Sequence, residues 1–249
     1  MSGVSKPDIA RRRAESHEAS ILSVGGAALA LGSLGIAATS ALYALSPPAA
    51  ALPTQPFDPA LALAGAVAGA RTMFAAGTIG IFSDVVAAVG AMLIVVELVR
   101  CDKAAAAAGW AAIFLSIVVF TFVDAMVGYV LSAVAAMPDG AGAFTAFKRL
   151  FDVLFLLGTM AFGGGAILAL TSEMRSPRRI VSQAVAIAGA LVGLAGVLAS
   201  AACLAGLPLQ QGVGISIGLG SAIFIAIGVQ VARAEPRLYQ RAGVAEPAS

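Results

Sequence analysis

The chain has 249 residues, 60% of them hydrophobic and 11% charged, with a formal net charge of +2. Soluble domains carry about 25% charged residues, so this composition excludes a water-soluble globular protein. The small net charge gives no nucleic-acid footprint, and no nucleic acid is expected as a partner. Long runs of Ala, Leu, Gly and Val, without the alternating segments of an outer-membrane barrel, predict helices.

The apolar runs predict an all-α polytopic membrane protein, a six-helix transmembrane bundle with both termini in the cytoplasm. The first run is too long for a signal-peptide core of about 7 to 15 residues and is predicted to be a retained span. All but three of the 15 Lys and Arg residues fall on the side of the termini, which sets the orientation. The predicted segments are a tail at 1–18, spans at about 19–45, 72–99, 109–137, 150–172, 180–207 and 213–232, and a tail at 233–249.

The connection after the first span contains five prolines between residues 46 and 59, and is predicted to be an external loop. Asp58 and Pro59 are typical of a helix N-cap and first helical position. From Ala60 the helical pattern continues to Val99, about 60 Å at 1.5 Å per residue, which exceeds a bilayer core of about 30 Å. Residues 60–70 therefore either extend the second span outward or form a separate external or interfacial helix.

Further along the chain, the sequence Met-Pro-Asp-Gly at 137–140 predicts a turn, followed by an external segment up to the fourth span. Cys101 and Cys203 fall on opposite sides of the membrane in this topology and are not expected to pair. Glycines with GxxxG spacing predict close helix packing, mainly inside the bundle rather than between copies. These pairs are Gly65 and Gly69, Gly189 and Gly193, and Gly214 and Gly218.

The second predicted span carries a carboxylate at its midpoint. Twelve uncharged residues precede Asp84, and twelve follow it before Glu97. A charge at this depth costs roughly 3 kcal/mol on insertion scales, so such residues usually have a partner or a use. Asp124 lies near the middle of the third span. Each acid lies about 20 Å from the outer end of its helix, at Arg71 and at Met137.

Antiparallel neighbours with these spacings bring the two carboxylates to the same depth. Small residues share their faces and predict contact with protein rather than lipid. One stripe contains Gly77, Gly80, Asp84, Ala87 and Ala91, and the other contains Thr121, Asp124, Gly128 and Ser132. Because no Lys, Arg or His occurs at that depth, the pair has to be protonated, share a proton, bind a cation or be reached by water.

Two interpretations of this region stay open. In the functional one, the acids form an ion, proton or polar-ligand site. In the structural one, each acid is neutral and hydrogen-bonded to a neighbouring helix. The candidate site residues are Asp84, Asp124, Thr121 and Ser83.

A second charged group is predicted at the outer ends of the helices. Lys148 and Asp152 are four residues apart and can pair on one helix face. The group is interpreted as an outer interfacial cluster that anchors the bundle to lipid headgroups. Its members are Arg71, Lys148, Arg149 and Asp152.

Catalytic patterns are absent or incomplete. Residues 214–218 match G-x-S-x-G, but a nucleophile elbow needs a strand-to-helix turn and a base, and the only histidine, His17, lies in a tail. Asp84 and Asp124 lack the glycine-flanked context of intramembrane aspartyl proteases. Spans without histidine exclude b-type haem ligation, and no metal-binding Cys or His spacing occurs. We expect a non-enzyme without metal or cofactor, with an intramembrane hydrolase as the enzymatic alternative.

Several short motifs lie between Arg71 and Ser182. The sequence reads R-x-x-F from Arg71, places Asp84-Val85 in mid-span, ends that span with LVR, and has SPRRIVS after the fourth span. On these motifs, this part of the chain resembles a widespread family of bacterial multi-span membrane proteins of unknown function. In that family the third span often carries a basic residue where this chain has Asp124, and the fourth span often has histidine. The resemblance implies a bundle of about six helices and no particular activity.

These observations together predict an integral protein of the bacterial inner membrane. It serves as an accessory or scaffold component, or it binds a small ligand or an ion within its bundle. The alternative function is a small proton- or cation-coupled transporter or channel that uses Asp84 and Asp124. The expected partners are the lipid bilayer and either a second membrane protein or a second copy of the chain.

Overall fold

A computed structural model describes residues 6–53, 56–177 and 179–234, with side chains from residue 21 onward. Six helices in these ranges are long and apolar enough to cross a membrane, and no strand occurs there. The predicted all-α, polytopic fold is therefore confirmed. Residues 1–5 and 235–249 of the predicted tails lie outside the described part. Spans 1 to 6 are Ile21–Leu45, Ala70–Arg100, Ala104–Ala135, Ala141–Arg175, Gln183–Leu204 and Gln210–Ala232.

Several helix boundaries differ from the sequence-based ones. The helix of span 1 already begins at Lys6, inside the segment predicted as a tail. Residues 141–149, predicted to be external, form the first turns of span 4, where the amide of Phe144 donates to the carbonyl of Gly140 at 2.8 Å. Span 5 begins later than predicted because the Glu173 carboxylate accepts the amides of Ile180 and Val181, which holds the preceding turn.

The connection after span 1 is packed into the bundle instead of projecting from it. We call Ser46–Pro53 the cap segment. It contains a one-turn helix, Pro48–Ala51, and the side chains of Ala50 and Ala51 are fully buried. The prediction of a proline-rich loop did not include this burial, which occurs because small and proline residues here fit against the helix ends. We call this end of the bundle the cap end, and the opposite end the far end.

The segment before span 2 is a separate helix, Pro59–Ala68, which decides between the two alternatives left open for it. Asp58 is its N-cap, as predicted, and accepts the amides of Ala60 and Leu61 at 3.0 Å each. Gly69 ends the helix with its amide on the carbonyl of Gly65. The two glycines pack against Pro47 of the cap segment, so this GxxxG pair works inside the chain.

The six spans form a closed ring. Each span contacts the spans before and after it in the chain, and span 6 contacts span 1. Six helices of about 10 Å diameter arranged in this way leave a central space about as wide as one helix. At the far end, side chains from all the spans fill this space; among them the rings of Trp110 and Phe224 lie 5.9 Å apart.

Glycines allow the neighbouring backbones to approach closely at five of the ring's seams in the described part. At each, a Cβ added to one glycine would lie closer than 3.0 Å to the backbone of the facing helix. The facing pairs are Gly26 and Gly228, Gly90 and Gly25, Gly77 and Gly128, Gly109 and Gly165, and Gly163 and Gly193.

The seam between spans 5 and 6 is different. Its closest glycine contact is to a side chain, since a Cβ on Gly196 would lie 3.1 Å from Oγ of Ser216. Of the predicted GxxxG pairs, Gly189 and Gly193 pack inside the bundle. Gly214 and Gly218 do not, because an added Cβ at either would meet nothing within 4 Å. The packing role predicted for this last pair is therefore wrong.

Substitutions at two adjacent glycines of span 4 test whether the seams depend on glycine. Gly165→Ala is expected to destabilise the protein by about 1–3 kcal/mol, because its methyl would lie 2.7 Å from the carbonyl oxygen of Gly109. Gly164→Ala is the matched control, since a Cβ there meets nothing within 4 Å and alanine favours a helix by about 1 kcal/mol over glycine. Thermal unfolding in detergent measures both. Equal midpoints for the two variants would contradict the proposed packing.

Candidate functional site

Two carboxyl groups from neighbouring spans meet inside the ring. Asp84 of span 2 and Asp124 of span 3 lie close enough for their carboxyl groups to interact, and only 3% and 6% of these residues is exposed. The hydroxyl of Tyr43, from span 1, donates to Oδ1 of Asp124. We call these three residues the acid cluster. It joins three spans at a single point.

The glycine stripe of span 2 creates the room for this contact. A Cβ on Gly80 would overlap the carboxylate of Asp124, and one on Gly77 would lie 2.6 Å from the Cα of Gly128. Span 3 also changes its geometry here, with a π-helical turn over Met126–Leu131. Such turns insert one extra residue per turn and are frequent at functional sites. The close approach and the wider turn together aim Asp124 at span 2.

The acid cluster has an excess of acceptors. Two carboxyl groups in contact in an apolar setting need a proton or a cation between them. Oδ2 of Asp84 is buried and meets no donor among the described residues. The hydroxyl of Tyr43 has a single proton to donate, and it already donates this proton in a hydrogen bond to Asp124. The cluster therefore has unused capacity to accept a hydrogen bond.

A cavity of about 200 Å³ lies beside the acid cluster, and all six spans contribute to its wall. Leu52 of the cap segment bounds it toward the cap end. Toward the far end it reaches Phe162 and Phe224, whose rings lie 4.7 Å apart. The remaining wall is largely apolar, and includes Leu29, Ile36, Ile117, Phe120, Phe155 and Ile223.

Hydroxyl groups are spread over the rest of the cavity wall. Most of them donate to a carbonyl of their own helix, at 2.7–2.9 Å. These donors are Ser40 to Ile36, Thr159 to Phe155, Ser216 to Val213, and Ser221 to Ile217. The hydroxyl of Thr39 is also buried, and has no partner among the described residues.

The structure separates the four residues singled out from the sequence. Asp84 and Asp124 line the cavity, whereas Ser83 and Thr121 are not part of its wall. Ser83 donates to the carbonyl of Ile79 at 2.7 Å, and Thr121 donates to its own helix at 3.1 Å. Tyr43 was not identified from the sequence, where a single tyrosine near the end of an apolar run gives no signal of its partner.

The residues of the predicted outer cluster also differ in their surroundings, since some are exposed and others are buried. Arg71 and Arg149 are exposed, as an interfacial role requires. Lys148 is fully buried, however, and forms an ion pair with Asp152. Its ammonium group also donates to the carbonyl of Leu52 at 3.0 Å. Headgroup anchoring by Lys148 is therefore the wrong interpretation, because its charge is satisfied inside the protein, where it holds the cap segment.

Other chemistry has little support at the cavity. The hydroxyl of Ser216, in the G-x-S-x-G match, donates to the carbonyl of Val213 at 2.7 Å. The part of the chain that the structure describes contains no group of three or more His, Cys, Asp or Glu residues that could hold a metal ion. Cys101 and Cys203 form no disulfide bond, as predicted.

No family model, curated protein or solved structure matches the chain. The resemblance drawn from its motifs therefore stays an expectation. The fold and the site define a class on their own: a multi-pass membrane protein with a cavity inside a ring of six spans.

Substitutions in the acid cluster should have opposite effects on stability. Asp84→Asn is expected to stabilise the protein by about 1 kcal/mol, since the amide can donate to Asp124 and one of two touching carboxyls is removed. Tyr43→Phe should cost about 1–3 kcal/mol, because Asp124 loses its donor. Tyr129→Phe is the control, since that exposed hydroxyl pairs with Thr78 at the surface. Thermal unfolding in detergent is the measurement, and equal losses for the Asn and Tyr43 variants would contradict the arrangement.

The buried ion pair makes a second prediction. Lys148→Met should cost about 3–5 kcal/mol, because it leaves Asp152 buried without its partner. Adding Asp152→Leu to this variant should restore most of the loss. Arg149→Met, at the exposed neighbouring position, should cost no more than about 1 kcal/mol, because it removes only a cation–π contact with Phe57 at 5.1 Å. If the double variant is as unstable as the single one in chemical or thermal unfolding, the pair does not account for the burial of Lys148.

Proposed function

We propose that the chain is a non-enzymatic protein of the bacterial inner membrane that binds a small, largely apolar molecule in its central cavity. The observation that carries this proposal is the cavity itself, walled by all six spans, with Asp84 and Asp124 on one side and apolar side chains elsewhere. Small-molecule sites are typically concave and apolar, with a few polar groups that fix orientation.

The unfilled space favours a binding role over a purely structural one. Side chains that face an unfilled space lack the dispersion contacts that a packed core would give them. A bundle used only as a scaffold or accessory subunit could fill the space with larger side chains. Glycines with room for a side chain occupy part of the wall instead, including Gly214 and Gly220.

The distribution of cations supports an orientation in the membrane. The described loops at the far end and the residues beside them carry several cations: Arg100, Lys103, Arg175, Arg179 and Arg233. Cytoplasmic loops are enriched in Lys and Arg, so we place the far end in the cytoplasm and the cap segment on the opposite side.

A second candidate function is proton- or cation-coupled transport. It is favoured by the continuous contact from Tyr43 through Asp124 to Asp84, since chains of hydrogen-bonded ionisable groups within a membrane are typical of proton pathways. Binding and transport share the same cavity, and transport also requires the cap segment to move. The bound state is therefore the first property to test.

Two glycines of span 6 provide the test. Gly214→Leu should fill the cavity without a backbone clash, because Gly214 lines the cavity and an added Cβ there meets nothing within 4 Å. Gly218→Leu is the matched control, equally free of contacts but absent from the cavity wall. Calorimetric titration of the purified protein with 2-phenylethanol should show saturable binding. We expect Gly214→Leu to abolish this binding and Gly218→Leu to retain it. Equal binding by both variants, or by neither, would contradict a site in this cavity.

A further inference from the structure

The polar groups of the cavity differ in what they can still offer to a ligand. Four hydroxyl groups in the wall already donate a hydrogen bond to a carbonyl of their own helix. They are those of Ser40, Thr159, Ser216 and Ser221. Each hydroxyl oxygen keeps its lone pairs, so it can accept a hydrogen bond but not donate one without breaking an existing bond. The walls of spans 1, 4 and 6 therefore present acceptors.

The acid cluster adds further acceptors and no spare donor. The phenolic hydroxyl of Tyr43 already donates its hydrogen bond to Asp124. Oδ2 of Asp84 is buried, with no donor among the described residues. Thr39 has the one hydroxyl here described as lacking a partner, and it can accept as well as donate. Asp84 and Thr39 lie on neighbouring spans, line the same cavity and are each at least 96% buried.

The charged residues near the cavity also favour a ligand that donates hydrogen bonds. None of the Lys or Arg residues that the structure describes is part of the cavity wall. Lys148, the buried cation nearest the cap, is bound to Asp152 and to the carbonyl of Leu52. An anionic ligand would therefore find no counter-charge and, among the hydroxyls described above, only that of Thr39 as a free donor, whereas a cationic donor would find a carboxylate pair with unused acceptors.

The apolar wall favours an organic cation over an inorganic one. Ca²⁺ takes six to eight oxygen ligands, and Mg²⁺ requires close to octahedral coordination. Here the acid cluster is confined to one wall, and most of the lining consists of aliphatic and aromatic side chains. A bare ion would lose its hydration without replacing it. A molecule with one charged end and an apolar body would match both parts of the cavity.

We propose that the cavity selects a small hydrophobic amine in its protonated form, with the ammonium group at Asp84 and Thr39 and the apolar body between Ile117 and Phe224. This rests on the proposed function, since it names the chemical class of the molecule that the central cavity takes. The ammonium supplies three donors, and its charge offsets the contact between Asp84 and Asp124.

The test compares three compounds that share a phenyl body and differ at the polar end. They are 2-phenylethylamine, 2-phenylethanol and 3-phenylpropionate, titrated at neutral pH into the full chain in lipid nanodiscs, with protein-free nanodiscs as the blank. The amine should bind roughly tenfold or more tightly than the alcohol, since a charge-assisted hydrogen bond is stronger than a neutral one. The carboxylate should show no saturable binding.

Two variants test whether Asp84 and Thr39 produce the preference for the amine over the alcohol. Asp84→Asn should reduce the affinity for the amine to that for the alcohol and leave the alcohol unchanged. Thr39→Val should weaken the amine several-fold through a residue outside the acid cluster, which keeps the test valid if the Asn variant fails to fold. Ser83→Ala is the control, because Ser83 precedes Asp84 in the chain but is not part of the cavity wall.

The outcomes separate this inference from the proposed function. Equal affinities for amine and alcohol, both abolished by Gly214→Leu, would overturn the amine preference and keep the cavity as a binding site. A preference for the amine that persists in both Asp84→Asn and Thr39→Val would overturn the placement of the charge. If none of the three compounds binds saturably, both the inference and the proposed function fail.

Discussion

The contact between spans 1 and 6 is the constraint from which the rest of the architecture follows. Gly26 and Gly228 let the first and last helices approach so closely that a Cβ on either would meet the other's backbone. With that seam closed, each span has two neighbours in the ring, and none occupies the centre. The central space is thus a consequence of how the helices pack in a ring. The size of the side chains that face it determines where it is filled and where it stays open.

The chain treats the two halves of this space differently. Toward the far end it is filled by bulky side chains such as Trp110, Phe224 and Ile113, which pack as in an ordinary protein core. Beside this core, glycines and hydroxyl-bearing residues in the wall leave a cavity open, and the cap segment, held by Lys148, covers the cavity toward the cap end. The acid cluster lies in the open half. The ring shields its carboxyl groups from lipid, where unpaired charge would be most costly.

Much of the scaffold could be predicted from the sequence, because its signals are local. Run length and composition predict the spans, and the Asp58-Pro59 pair predicts the start of a helix that the structure confirms. Equal spacing from the helix ends brings Asp84 and Asp124 to one depth, and the glycine stripe indicates which face of span 2 meets span 3. These features need only helical geometry and the cost of burying charge.

The remainder depends on contacts between residues far apart in the chain. Tyr43 is separated by 81 positions from the carboxylate to which it donates, and Lys148 by 96 from the carbonyl of Leu52. A lysine near a helix end is interpreted as interfacial unless the segment that covers it is known. The closure of the ring by Gly26 and Gly228 has no local signature either, so the cavity could not be inferred from the spans alone.

The most direct measurement of the central claim is an experimental structure of the protein in lipid nanodiscs, at a resolution that shows side chains and bound molecules. We expect spans 1 and 6 in contact, Asp84 turned toward Asp124, and non-protein density beside them in the space bounded by Leu52 and Phe224. A centre closed by inward movement of spans 5 and 6, or either aspartate facing the acyl chains, would contradict it.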